Sequence, residues 1–208
     1  VMKPVTPDTL PEGIVWRRIW DPALRVFHWL FAGAVLLAWG LGKWGPAIMT
    51  VHYYAGYLVI GLLVFRLIWG LVGPTPARFT HFLFGPATTL RYLTRLPRRQ
   101  PSYWPGHNPL GALSVFALLG LVGLQVASGL FSDPDDYLNV GPLSGLVEFE
   151  TARWANGWHH RLSTLLAVIV GLHVGAVLFY RIWKREDLVR PMLTGKKAVR
   201  EEDSAPAE

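Results

Sequence analysis

The chain has 208 residues, 51% of them hydrophobic and 16% charged, with ten Trp, ten Phe and seven Tyr. A charged fraction so far below that of soluble domains points to a membrane protein, and the absence of cysteine excludes disulfides, cysteine-ligated iron-sulfur clusters and covalent haem attachment through C-x-x-C-H. The formal net charge of +6 raises nucleic acid as a partner, which the distribution of that charge along the chain decides.

The chain opens with VMKPVTPDTLPEG, rich in proline and mixed in charge, without the apolar core and small-residue cleavage site of a signal peptide. Residues 1–20 are therefore expected to form a cytoplasmic tail. A Trp- and Arg-containing border then gives way to a first membrane span over 26–44, with His28 just inside its entrance. The second span, 51–73, is closed by Gly73 and Pro74 and carries His52 at its start and Arg66 fourteen residues later. An arginine in hydrocarbon costs about 2.5 kcal/mol at the least, so Arg66 requires an anionic partner in the interior or a route to the headgroups.

The connection from Thr75 to Pro109 holds Arg78, Arg91, Arg95, Arg98 and Arg99 and no acid. Its middle, PATTLRYLTRL, spaces apolar residues as an amphipathic helix lying in the membrane interface would. A third span over 110–131 is uncharged and lacks histidine. The next connection is acidic, with Asp133, Asp135, Asp136, Glu148 and Glu150 against Arg153 alone. The fourth span, 160–183, follows the run WHHRLSTLLAVIVGLH, and a basic tail then ends in EEDSAPAE over 196–208, whose composition suggests disorder.

Lys and Arg concentrate in both tails and in the long connection, which by the positive-inside bias places both termini in the cytoplasm. The positive charge is thus topological, and nucleic acid is set aside. The expected fold is an all-α integral membrane bundle of four transmembrane helices, one membrane domain over 1–208, in a bacterial inner membrane. His159 and His173 are fourteen positions apart, 40° short of four turns, so they share a helix face about 21 Å apart in depth. With helix directions assigned, His52 and His159 lie at the outer level and His28 and His173 at the inner one. Four histidines at two matched depths are what two bis-histidine haems require.

Each residue also has a plainer reading. An intramembrane histidine is as often a packing residue as a ligand, and it is the agreement in depth and face that selects this set of four. His160 is an alternative to His159, but its position thirteen before His173 turns it toward nearly the opposite face. Arg66 either neutralises a propionate of the inner haem or snorkels to the interface. His81 and His107 fall in the connection and are expected to be structural or solvated. Gly56, Gly61, Gly171 and Gly175 would make room for a macrocycle, or simply let helices pack.

The segments RVFHW, VHYYAGYLVIGLLVFRLIWGLVGPTP, GHNPLGALS and WHHRLSTLLAVIVGLH followed by FYRIWKREDLVRPM together resemble the bacterial cytochrome b561 and nickel-iron hydrogenase b-type cytochrome family. The likeness runs over about residues 16 to 195. It implies a four-helix bundle with His28, His52, His159 and His173 as axial ligands of two haem b groups. It also implies electron transfer between a quinone/quinol pool and a periplasmic redox protein, a hydrogenase or a c-type cytochrome. His160, and His107 with Arg66, are candidates for the quinone site. Two rival expectations are a stand-alone superoxide:quinone oxidoreductase of the same fold and a haem-free membrane scaffold or metal transporter.

Overall fold

The computed structural model describes residues 10–46 and 49–202. Four of its helices are long and apolar enough to cross a membrane: α1 (Pro22–Trp44), α2 (Thr50–Val72), α4 (Pro109–Leu130) and α5 (Phe149–Phe179). The shorter helices are α3 (Pro86–Arg95) and α6 (Val189–Thr194), and the strands are β1 (Ile14–Arg18) and β2 (Lys196–Arg200). The four expected spans and the amphipathic helix in the long connection are all present as helices. By contact the chain forms two compact units, one of residues 26–68 and 114–173 and the other of 1–25, 69–113 and 174–208.

In the unit 26–68 with 114–173, each long helix contributes to one apolar core. Ala34 of α1, Val59 of α2, Leu121 and Val122 of α4 and Leu166 of α5 are buried together. Around that core the helices turn Leu, Val and Ile outward; Leu36, Leu58, Leu124 and Val168 are at least half exposed, as lipid-facing residues must be. The acidic connection folds back on itself. Ser132 Oγ donates to Asn156 Oδ1 at 2.9 Å, and the Asp133 amide donates to the Ala152 carbonyl at 3.2 Å.

α5 begins eleven residues earlier than the expected span, so His159 lies in its second half-dozen turns' path rather than at its mouth. Glu150, Arg153 and Asn156 hide this segment from a hydropathy reading, yet its backbone is helical from Phe149 onward. α1 also starts early, at Pro22. Asp21 precedes it as an N-cap, its Oδ1 accepting from the Leu24 amide at 3.0 Å, and Pro22 occupies the first helical position where no N–H is needed. Asn108 and Pro109 repeat the device at α4, with Asn108 Oδ1 accepting from the Gly111 amide at 2.8 Å.

The other unit holds a feature not anticipated from the sequence. Segments assigned to the two tails pair as an antiparallel ribbon, with Ile14 opposite Arg200 and Arg18 opposite Lys196. Val199 on this ribbon is fully buried. Beneath it, Lys197 Nζ stands 3.1 Å from Glu186 Oε1, while Glu186 Oε2 accepts from the amide and hydroxyl of Ser102 at 2.8 and 2.7 Å. Burial alone would raise the Glu186 carboxyl, but the Lys197 ammonium and the Ser102 donors hold it below its ordinary range. The remainder of the expected tails, 1–9 and 203–208, lies outside the described residues.

Candidate functional site

Within the unit 26–68 with 114–173, the four long helices leave a cavity of about 210 Å³ bordered by His52, Gly56, Gln125, Gly129, His159 and His160. His52 and His159 face one another across it from α2 and α5. Their ring centroids are 6.0 Å apart and their planes cross at 83°. Two imidazoles bound on opposite sides of one metal, each through nitrogen at about 2 Å, have centroids roughly 6 Å apart.

The backbone sets the tautomer of both rings. His52 Nδ1 lies 2.8 Å from the Ala38 carbonyl oxygen, and His159 Nδ1 lies 3.0 Å from that of Gln125. A carbonyl only accepts, so each Nδ1 carries the proton and each Nε2 keeps its lone pair. A neutral imidazole oriented through one nitrogen, with the other basic, is the form in which histidine ligates a metal. Gln125 Nε2 also lies 3.3 Å from His159 Nε2, and Ser128 Oγ lies 3.3 Å from His159 Nδ1.

Close helix approach is needed for this arrangement. A Cβ on Gly129 would sit 2.8 Å from His159 Cε1 and 3.0 Å from its Nδ1, so only glycine lets α4 pass the ring in this position. Gly56 is different: it borders the cavity, and a Cβ there would meet no protein atom within 4 Å. Such space suits a flat apolar group.

The other two predicted histidines lie in the same unit. His28 on α1 is near enough to His173 on α5 for their imidazoles to interact electrostatically. His173 Nδ1 is 3.1 Å from Ser114 Oγ, whereas His28 Nδ1 is buried with no hydrogen-bond partner among the described residues. Burying an imidazole nitrogen without a partner is costly, and a bound group that uses the ring would offset that cost. Phe27 stacks on Phe31 and tilts against Phe65, giving this region apolar walls. The donor set, neutral imidazoles in an apolar bundle, fits haem iron.

Arg66 is 2% exposed and therefore directed into the protein, not toward lipid. His160 is exposed beside His159, with ring centroids 6.3 Å apart, and borders the cavity mouth. Asp136 and Asn139 stand at the same mouth; the Asn139 amide, with the Asn139 side chain and the Leu138 amide, holds the Asp136 carboxyl below its ordinary range. His107 lies in the other unit, packed against Trp20 and Phe82 at 4.6 and 4.4 Å, and His81 is exposed there.

Sequence reasoning passed over the third span because it lacks histidine and charge. Its polar side chains are Ser114, Gln125 and Ser128, and every one of them reaches an imidazole of α5. The signal was present: polar residues in an apolar span need partners, and histidines holding a metal need orienting groups.

A family model described as Prokaryotic cytochrome b561 matches residues 19–195. Among curated proteins, the chain is 25% identical to the Probable Ni/Fe-hydrogenase 1 B-type cytochrome subunit of Escherichia coli (strain K12), over 90% of this chain and 93% of that one. It is 21% identical to the Probable Ni/Fe-hydrogenase B-type cytochrome subunit of Rhizobium leguminosarum bv. viciae, over 89% and 90%. The protein of that name from Azotobacter vinelandii is 26% identical, over 85% and 86%. No solved structure matches the chain significantly.

Proposed function

Since the chain belongs to the prokaryotic cytochrome b561 family, we propose that it is a dihaem b-type cytochrome subunit, passing electrons between a membrane quinone/quinol pool and a hydrogenase or c-type cytochrome on the periplasmic side. Haem b, when bound, supplies reversible one-electron chemistry at iron. The observation that carries the reading is the His52–His159 pair, 6.0 Å between centroids in one cavity, each Nδ1 committed to a backbone carbonyl.

In this reading His52 and His159 hold the outer haem, and His28 and His173 the inner one. Ala38 and Gln125 fix the outer rings through their carbonyls, and Ser114 orients His173. Axial imidazoles on both sides leave no open iron position, so the site is suited to electron relay, not to bond chemistry. Arg66 places a buried positive charge beside a propionate of the inner haem, a role its interior position supports. His160 at the cavity mouth is the candidate for a proton-accepting contact with quinol, and the alternative outer ligand should His159 not serve.

The hydrogenase partner rests on the names of the relatives from Escherichia coli, Rhizobium leguminosarum and Azotobacter vinelandii. Cytoplasmic termini, a single membrane domain and residence in the inner membrane rest on the charge distribution. The test is gentle solubilisation from native membranes, identification of the co-purifying subunits, and reduction of the b-type absorbance by quinol and by hydrogen. Co-purification of a hydrogenase with hydrogen-dependent reduction is expected. A lone chain whose haem absorbance responds to superoxide and quinone, or a chain without b-type absorbance, overturns the proposal.

A further inference from the structure

In the unit formed by 1–25, 69–113 and 174–208, a second cavity of about 530 Å³ lies between α3, the segment that follows it, the end of α5 and β2. Arg95, Arg98, Lys184 and Arg200 line it, and no Asp or Glu does. These cations come from separate parts of the chain. The positive-inside bias explains why basic residues border the membrane on one side, but it does not require them to converge on one cavity.

Lys184 is the informative member. It is 5% exposed, and its ammonium donates to the Arg98 carbonyl at 2.9 Å. An ammonium has three donors, and no carboxylate among the described residues lies within ion-pair distance of this one. Glu186, the neighbouring buried acid, is committed to Lys197 and Ser102. Arg200 has only Glu202 at 3.5 Å, with both side chains largely exposed, a pairing of little strength. A buried cation flanked by arginines without a matching acid is costly unless an anion joins it.

We propose that this cavity binds a phosphate-bearing anion. Guanidinium forks match phosphoryl oxygens in geometry, and a buried ammonium adds a point charge. The cavity lies where α5 ends, next to α3, on which Leu90 and Leu93 are 65% and 40% exposed. Those leucines offer apolar surface to acyl chains beside the charged cavity, so the headgroup of an acidic phospholipid is the favoured source of the phosphate.

The experiment uses the full haem-loaded chain and a variant with Arg95→Gln, Arg98→Gln and Arg200→Gln. A charge-matched control carries Arg91→Gln, Arg99→Gln and Arg181→Gln, which lie in the same basic segments but do not line the cavity. Retention of phosphatidylglycerol against phosphatidylcholine is measured by native mass spectrometry, and thermal melting is followed in micelles with added phosphatidylglycerol or sodium phosphate. At about fivefold per surface arginine, the cavity variant should bind phosphatidylglycerol on the order of a hundredfold more weakly. The control should bind like wild type. Protection by sodium phosphate that the cavity variant loses would support the same site with a soluble anion as its source. Equal loss in the control, full retention in the cavity variant, or no response of wild type to either probe overturns the proposal.

Discussion

Gly129→Ala isolates the claim that α4 passes close to a working His159 ring. The added methyl would lie 2.8 Å from His159 Cε1 and 3.0 Å from Nδ1, whereas an ordinary contact is 3.4 Å or more. The ring must therefore retreat by about half an ångström, against the Gln125 carbonyl bond at 3.0 Å that orients it. Overpacking of this kind costs about 1–3 kcal/mol, and the hydrogen bond about 1 kcal/mol more if it breaks. That strain falls on the proposed axial ligand. The expected result is loss, or an altered low-spin electron paramagnetic resonance signal, of one haem, with the other unchanged. Gly120→Ala on the same helix, where a Cβ meets no atom within 4 Å, serves as the control and should match wild type. Unchanged haem content and spectrum in Gly129→Ala would refute the reasoning, because a ligand cannot be displaced without a spectral consequence.

Ser114→Ala should shift the signal assigned to the His28/His173 haem and leave the other alone, whereas Gln125→Ala should do the reverse; redox titration of each variant checks the split. Arg66→Gln removes a buried positive charge, which favours the oxidised state, and should lower one midpoint potential by tens of millivolts, about 59 mV for each tenfold change in the one-electron equilibrium. Glu186→Gln leaves Lys197 buried without its carboxylate and should destabilise the chain by about 3–5 kcal/mol in thermal or denaturant unfolding. The Glu186 carboxyl is held below its ordinary range, so the stability it contributes is complete above that range and is lost as pH falls through the lowered value. Wild type should therefore lose stability on acidification more steeply than Glu186→Gln, as melting against pH would record.

The four spans were legible because membrane solvation leaves little choice: charge-poor stretches of the right length must be helices there. Facing and depth of His52 and His159 followed from helical periodicity and alternating direction, and the structure brings those rings to 6.0 Å. The helix starts were less visible. Asp21–Pro22 and Asn108–Pro109 are recognisable caps, but a hydropathy reading looks for the apolar run and not for the turn before it. The β1–β2 ribbon was hidden for another reason, since Ile14 and Arg200 are 186 positions apart and neither five-residue segment predicts its partner. Gln125 and Ser114 were overlooked because attention to ligand residue types ignores the groups that orient them. The cavity near Lys184 arises from four distant cations, a convergence only the folded chain reveals.

The central claim is that four histidines hold two haems in two pairs. A pyridine haemochromogen assay on the purified chain and on its four single His→Ala variants, with each remaining haem identified by its redox titration, tests it most directly. The account predicts two protohaems in wild type, loss of one and the same haem in His52→Ala and His159→Ala, and loss of the other in His28→Ala and His173→Ala. Fewer than two haems in wild type, or different haems lost within either pair, would contradict it.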